Sequence, residues 1–218
     1  MKMGEIKQIV SAIIAFTIVI GFSQILASKG SMFIFGFFFA IIIIATNIAA
    51  KKLMASALDA DVEHEIWRWS RYGFKPQAHL EKTLPAGLVF PLTLSFLSLG
   101  VVKILTFLTY ETKALKHRAA KRFGVFSYTE ITDWHNALIG AAGIISLLIL
   151  SLIFYLIPFP NFEYLSILST YYAFFNMLPI SKLDGTQIFF GSRILWITLA
   201  IITTIFAGYA LAISLGVI

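Results

Sequence analysis

The stretch FFNMLPISKLDGTQIFF, residues 174–190, places Asn176, Pro179 and Asp184 in order at the end of an apolar run. A carboxylate close to hydrocarbon is costly, so Asp184 must be paired, solvated at the interface or retained for chemistry. An aspartate in this setting can bind a metal ion. The chain has no cysteine, so any metal site must be built from His, Asp or Glu.

The histidines are few, and all of them lie in polar connecting segments: His64, His79, His117 and His135. A rearranged metal site would need His64 with Glu65, or Asp133 with His135, to fold back toward Asp184. Adjacent or i,i+2 donors in interfacial loops are more often simply solvated. The neighbouring pairs Ser181-Lys182 and Ser192-Arg193 are typical of helix caps and interfacial anchors.

The composition indicates a polytopic membrane protein. Of the 218 residues, 59% are hydrophobic and 13% are charged, and the mean hydropathy is +0.87, far outside the range of soluble domains. The net charge of +6 comes from basic patches interleaved with aromatic residues, a pattern typical of membrane surfaces. We therefore expect an integral protein of the cell membrane and no nucleic-acid partner.

The apolar runs predict an all-α fold of five transmembrane helices plus a re-entrant hairpin, with six spans as the alternative. Five runs are long enough to cross about 30 Å of hydrocarbon: 9–27, 32–50, 137–157, 163–181 and 194–217. A sixth, 86–110, contains Pro91, Ser98, Gly100 and Lys103. All of these segments are expected to form a single membrane domain over 1–218.

The distribution of Lys and Arg favours the hairpin. If 86–110 crosses the membrane fully, each side carries eight basic residues. If it enters and returns, one side carries fifteen and the other only Lys29. Because cytoplasmic loops are enriched in Lys and Arg, we expect a re-entrant 86–110 and a cytoplasmic N-terminus. The region near Asn47 and the region near Asp184 then lie on the same side.

Two connecting segments have their own patterns. Residues 51–85 are expected to form an interfacial region, in which 61–74 alternate with period two and contain two tryptophans, predicting an interfacial strand. This strand is either an amphipathic anchor or an edge that pairs with an extended segment of another protein. Residues 111–136 predict a basic amphipathic surface segment that binds anionic lipid headgroups. The small residues of 137–146 predict close helix packing.

The pattern Asn-x-x-Pro-x-x-x-Leu-Asp-Gly over 176–185 resembles the C-terminal signature of the site-2 protease family of intramembrane zinc metalloproteases. The resemblance implies that the aspartate completes a zinc site whose two histidines belong to a His-Glu-x-x-His motif on an earlier span. The corresponding place here reads Thr46-Asn47-Ile48-Ala49-Ala50. Both histidines and the glutamate that would act as general base are therefore missing.

These observations favour a catalytically inactive, site-2 protease-like protein that binds membrane-protein clients or partner helices. Asn176, Pro179 and Asp184 with Thr46 and Asn47 would form a relic site or client groove, in which Asn176 and Asp184 bind Thr46, Asn47 or a client backbone. We expect no catalytic residue and no cofactor.

Two alternatives remain open. One is an active intramembrane zinc metalloprotease with non-standard ligands, which would need zinc bound in part by Asp184. The other is a small channel, carrier or lipid-binding membrane protein, for which Lys103 and Asp184 are the candidate intramembrane ionic groups.

Overall fold

The computed structural model describes residues 3–26, 30–71, 79–115 and 131–215. Within these ranges the chain forms seven helices and four short strands. In chain order they are α1 (Met3–Leu26), α2 (Gly30–Ala57), β1 (Ala60–Ile66), β2 (Trp69–Arg71), β3 (His79–Leu84), α3 (Ala86–Leu97), β4 (Leu108–Ala114), α4 (Asp133–Leu156), α5 (Phe162–Met177), α6 (Asp184–Gly191) and α7 (Arg193–Ser214).

Four helices, α1, α2, α4 and α7, are long and apolar enough to cross a membrane. They coincide with four of the five predicted spans and confirm an all-α polytopic membrane protein. The fifth predicted span, 163–181, corresponds to α5, which has 16 residues and ends at Met177. At 1.5 Å per residue α5 is about 24 Å long, shorter than the roughly 20 residues that a perpendicular span needs.

The largest departure from the predicted boundaries is at the end of α2. The span was predicted to end at residue 50, with an interfacial region beginning at 51. Helix α2 instead continues to Ala57, because the sequence AAKKLMASA at 49–57 consists mostly of strong helix formers and contains neither Gly nor Pro. Lys51 therefore belongs to a helix and is buried, which corrects its predicted place in an interfacial loop.

The two ends of the segment 86–110 lie close together, so the segment has the shape of a hairpin. Helix α3 has only 12 residues, and the chain then turns at Leu99 and Gly100, both with positive φ. On its return, Phe107 O accepts a hydrogen bond from Trp67 N–H at 2.9 Å, while Gly87 N–H donates to Trp67 O at 2.8 Å. A Cβ on Gly87 would lie 2.2 Å from Phe107 O, so only glycine allows the two ends of the hairpin to meet.

The tip of this hairpin is apolar and exposed. Its side chains are among the most accessible of the described residues: Phe96, Leu97, Leu99 and Val101. Exposed apolar side chains at the end of a short helix are expected where lipid rather than water surrounds them. That the tip of this hairpin enters the bilayer stays a prediction.

The predicted strand in 61–74 is observed as β1 and β2, and residues 72–78 lie outside the described ranges. Val62 and His64 are buried on one face of β1, as the period-two alternation predicts. Strand β1 pairs with β4, and β2 pairs antiparallel with β3. The backbone N–H groups of His64 and Ile66 donate to side-chain oxygens of α1 instead of another strand, at 3.4 Å and 2.6 Å.

The predicted basic surface segment 111–136 is only partly described. Residues 111–114 belong to β4, and the predicted lipid-binding surface stays a prediction. Residues 116–130 lie outside the described ranges. Helix α4 begins at Asp133, where Thr132 caps the helix by accepting a hydrogen bond from His135 N–H.

The chain divides into two compact units: Met1–Ile41 with His64–Thr109, and Ile42–Glu63 with Tyr110–Ile218. In the first unit, α1 packs on α3, and Phe16 stacks against Phe107 with ring centroids 5.1 Å apart. In the second unit, α4 packs on α5 and α6, and α5 packs on α7. The single membrane domain over 1–218 stays a prediction.

The hairpin can be tested by cysteine labelling, because the chain has no cysteine of its own. We expect Leu84→Cys and Leu115→Cys to react with a membrane-impermeant maleimide from the same side of sealed vesicles. Leu99→Cys, at the hairpin tip, should react only after detergent is added. Labelling of residues 84 and 115 from opposite sides would show that α3 and its return segment together cross the membrane.

Candidate functional site

Asp184 is the first residue of α6 and is fully buried. The next residue is Gly185, where an added Cβ would lie 1.9 Å from Met177 O and 2.8 Å from Leu178 O. The backbone at the start of α6 is therefore pressed against the end of α5, and no side chain larger than hydrogen fits. The Asp-Gly pair places the carboxylate inside the protein at the point where the two helices meet.

The partner of Asp184 is Lys51. The Nζ atom of Lys51 lies 2.6 Å from Oδ2 of Asp184, and both side chains are 1% exposed. The same ammonium lies 4.6 Å from the centroid of the Tyr110 ring, which adds a cation–π contact. Asp184 is thus neither solvated nor open to a ligand at Oδ2, because an internal cation neutralises it.

Two glycines of α4 make room for these polar groups. A Cβ on Gly143 would lie 2.6 Å from Cε of Lys51 and 2.8 Å from Nδ2 of Asn47. A Cβ on Gly140 would lie 2.6 Å from the hydroxyl oxygen of Tyr110. The small residues predicted to allow close helix packing therefore admit the side chains of Lys51, Asn47 and Tyr110 into the core.

Burial affects how the two acidic groups of this cluster titrate. Loss of water raises the pKa of the Asp184 carboxyl, and the ammonium of Lys51 opposes this rise by its charge and by a hydrogen bond. Burial, together with the nearby Asp184, raises the pKa of the Tyr110 hydroxyl well above its ordinary value, so Tyr110 is neutral at physiological pH. Its hydroxyl donates to Asn136 O at 2.7 Å.

The residues predicted on α2 have different places. Asn47 is buried one helical turn before Lys51, and within the described ranges its Nδ2 has no hydrogen-bond acceptor. Thr46 is only half-buried. The predicted binding of Asp184 by Thr46 or Asn47 is replaced by the ion pair with Lys51.

The other two predicted residues flank the end of α5. Asn176 is buried, and its Nδ2 donates to Tyr172 O at 2.7 Å. Pro179 is exposed and follows the last helical residue, Met177, where its fixed φ and missing N–H suit a helix exit. Asn176 therefore stabilises the last turns of α5, and Pro179 accompanies the change of direction toward Asp184.

The donor set around Asp184 does not fit a zinc ion. Catalytic zinc normally has three protein ligands, whereas the carboxylate of Asp184 is paired here with the ammonium of Lys51. Across the part of the chain that the structure describes, no three His, Asp or Glu residues are grouped to hold a metal. His64 contacts Glu5, and His135 contacts Thr132. The backbone of His79 lies in β3, and His117 lies outside the described ranges.

A polar groove of about 560 Å³ lies beside the ion pair. It is lined by Tyr110, Glu111, Thr112, Asp133, Asn136, Ser181, Lys182, Thr186, Gln187 and Phe190. Across it, Gln187 Nε2 donates to Tyr110 O at 3.0 Å, and Lys182 pairs with Glu111 at 3.0 Å. The groove thus presents amide, hydroxyl and charged groups next to the buried pair.

Sequence reasoning missed Lys51 and Tyr110. One signal was present: Lys51 follows Asn47 by four residues, so the two share a helix face if α2 continues. Tyr110 carried no such signal, because its place depends on how β4 packs against α4. The serine pairs agree with their prediction in part, since Ser192 accepts a hydrogen bond from Leu195 N–H and caps α7.

Comparisons of the chain with protein-family models, with curated proteins and with solved structures found no match. The resemblance to the site-2 protease family therefore rests on the residues of this chain alone.

A double-mutant cycle tests whether Lys51 and Asp184 stabilise the fold through their contact with each other. We expect Lys51→Met and Asp184→Val each to lower the free energy of unfolding by about 3–5 kcal/mol, because each leaves an uncompensated buried charge. The double variant should be more stable than either single variant. Thermal and denaturant unfolding in detergent micelles measures these differences.

The exposed pair Lys182 and Glu111 supplies the matched control, with side chains 66% and 47% exposed. Lys182→Met and Glu111→Leu should each change stability by less than about 1 kcal/mol. Equal effects at the buried and exposed pairs would contradict the central place given to Lys51 and Asp184.

Proposed function

We propose that this chain is a catalytically inactive, site-2 protease-like integral membrane protein that binds membrane-protein clients or partner helices. The observation that carries the proposal is the ammonium of Lys51 at 2.6 Å from Asp184. In the family that the 176–185 pattern resembles, the corresponding aspartate is a zinc ligand. Here a lysine of the same chain supplies the positive charge that such a carboxylate needs when it is buried.

The spacing on α2 supports this correspondence. Asn47 and Lys51 are four residues apart, and both side chains lie next to Gly143 of α4. Two histidines at the same spacing on one helix face would hold zinc in a His-Glu-x-x-His motif. In this register Asn47 and Lys51 occupy the two histidine positions, and Ile48 occupies the glutamate position. The sequence pattern alone placed the motif one residue earlier, over residues 46–50.

The chemistry of these three positions does not support peptide hydrolysis by metal-activated water. A lysine ammonium has no lone pair for a metal, and an isoleucine cannot serve as a general base. What the arrangement does is hold α2, β4 and α6 together through one buried charge pair and the Tyr110 ring. A stable scaffold of this kind suits binding without cleavage.

The polar groove beside Tyr110 is the candidate surface for clients. Strand β4 belongs to a two-stranded sheet with β1, so its other edge is not covered by a strand in the part of the chain described. Gln187 already donates to the Tyr110 carbonyl there. Amide and hydroxyl groups in a groove suit a polypeptide backbone that has left its helical hydrogen bonding.

The proposed setting is the cell membrane with the N-terminus in the cytoplasm, because a re-entrant 86–110 would leave most Lys and Arg on one side. Anionic headgroups would then contact the basic residues of 111–136. The groove beside Asp184 would open near the cytoplasmic interface.

Histidines introduced at positions 47 and 51 test whether these positions of α2 correspond to those of the metal motif. The double variant Asn47→His and Lys51→His should bind zinc stoichiometrically with Asp184 as third ligand, and Asp184→Asn should abolish this binding. Elemental analysis of purified, dialysed protein is the measurement. The control places the same i,i+4 pair at Ala49 and Leu53, on the exposed face of α2, and should not bind zinc in an Asp184-dependent way.

Two results would overturn the proposal. Stoichiometric zinc in the unaltered chain, lost on Asp184→Asn, would contradict the inactive site. Failure of the folded histidine variant to bind zinc would show that α2 does not present the positions of a metal motif to Asp184.

Client binding is tested separately by photocrosslinking. Phe190 lines the groove and is 74% exposed, so a benzoylphenylalanine there should leave the fold intact. We expect it to capture discrete, full-length membrane proteins in native membranes. The control is the same amino acid at Phe38 of α2, also exposed but outside the groove; an identical capture pattern from both positions would refute a client groove.

A further inference from the structure

Two adjoining cavities lie where α4 and α7 end and α5 begins. The first is an apolar groove of about 240 Å³, lined by Ser151, Leu152, Tyr155, Ser166, Ile167, Thr170, Ile205, Phe206, Tyr209, Ala210 and Ile213. The second is a recess of about 490 Å³, lined by Tyr155, Ile157, Pro158, Phe159, Pro160, Asn161 and Glu163. Tyr155 lines both, so the two cavities meet at this side chain.

A pair of tyrosine hydroxyls lies at the junction. Tyr155 and Tyr209 are hydrogen-bonded to each other through their hydroxyl groups and pack edge-to-face at 5.4 Å. Two hydroxyls have two protons, and one bond between them uses one, so the pair can still donate one hydrogen bond outward. Tyr155 is the penultimate residue of α4, and tyrosines at the ends of membrane-spanning helices are enriched at the interface, where the ester groups of lipids lie.

The polar atoms in the floor of the apolar groove are already satisfied. Ser151 Oγ lies 2.9 Å from Ser166 Oγ and 2.7 Å from Thr170 Oγ1, and Ser166 Oγ donates to Ser151 O at 2.8 Å. These bonds tie α4 to α5. The groove therefore requires no hydrogen bond from its occupant and suits a hydrocarbon chain.

The recess has the opposite character. Glu163, in the first turn of α5, is the charged residue in its lining. A carboxylate at the interface attracts an ammonium group and repels a headgroup with net negative charge. The recess thus favours an ethanolamine or choline headgroup over an anionic one.

We propose that these cavities form a binding site for a diacyl phospholipid with an ammonium headgroup. The ammonium lies near Glu163, an ester carbonyl accepts a hydrogen bond from the Tyr155–Tyr209 pair, and an acyl chain occupies the groove beside Ile205. This site is separate from the one around Asp184 and does not depend on the function proposed there.

Lipid fits this surface better than a partner helix. The neighbouring face of α7 carries exposed, bulky isoleucines at Ile194, Ile197, Ile201 and Ile205, whereas paired transmembrane helices favour small residues. Gly208, where an added Cβ meets nothing within 4 Å, lies outside both linings. Close packing of a second copy on this face would use its small residue, Gly208, so that position separates the two occupants experimentally.

Native mass spectrometry of the purified full chain tests the proposal with defined lipids. The probes are phosphatidylethanolamine and phosphatidylglycerol with identical chains, and diester and diether forms of phosphatidylethanolamine. We expect one retained lipid per chain, with ethanolamine preferred over glycerol headgroups. The diester should be retained about fivefold better than the diether, because its carbonyl accepts one neutral hydrogen bond that the diether lacks.

Near-isosteric variants assign each preference to its residue. Tyr155→Phe with Tyr209→Phe should remove the preference for the diester, and Glu163→Gln should remove the preference for the ammonium headgroup. Tyr171→Phe, a tyrosine outside both linings, and Gly208→Leu should leave both preferences unchanged. Thermal unfolding verifies that each variant is folded.

The comparison of lipids on the unaltered chain decides the proposal even if a variant fails to fold. Equal retention of diester and diether, or equal or greater retention of phosphatidylglycerol, would overturn it. So would retention of a second chain in place of lipid, lost on Gly208→Leu.

Discussion

One physical constraint organises the site: two opposite charges are buried together in a largely apolar protein. Neither Lys51 nor Asp184 is stable alone at 1% exposure, because the loss of hydration costs several kcal/mol per ion. The pair therefore requires α2 and the start of α6 to hold a fixed distance. Gly143 and Gly185 meet this requirement, since a methyl group at either would collide with the lysine stem or with the backbone of α5.

The same constraint bears on function. A buried aspartate at the junction of α5 and α6 needs a cation, and a metal ion or a lysine ammonium can supply it. The ammonium neutralises the carboxylate but leaves no coordination position at which water is activated. Under the proposed function, a lysine at this place would preserve the architecture around Asp184 without the means of hydrolysis. The polar groove lined by Tyr110 and Gln187 lies beside it and is the surface proposed for clients.

Predictions from local pattern agreed best with the structure. Apolar run length located four helices long enough to span a membrane, and period-two alternation located β1. The ends of 86–110 meet at Gly87 and Phe107, while the membrane side inferred from the basic residues stays a prediction. The end of α2 was misplaced because a lysine pair was taken as the edge of the membrane. Helix propensity over 49–57 favoured continuation, and burial of Lys51 against Asp184 offsets the cost of its charge.

The sequence by itself determined the class of membrane protein, the positions of the long apolar helices, the exclusion of cysteine chemistry and the presence of an aspartate without a His-Glu-x-x-His motif. These are properties of composition and of spacing within one element. Only the tertiary structure decided that Lys51 is the partner of Asp184 and that Tyr110 covers the pair. The physical reason is that such contacts join residues far apart in the chain, and they depend on which helix faces pack together.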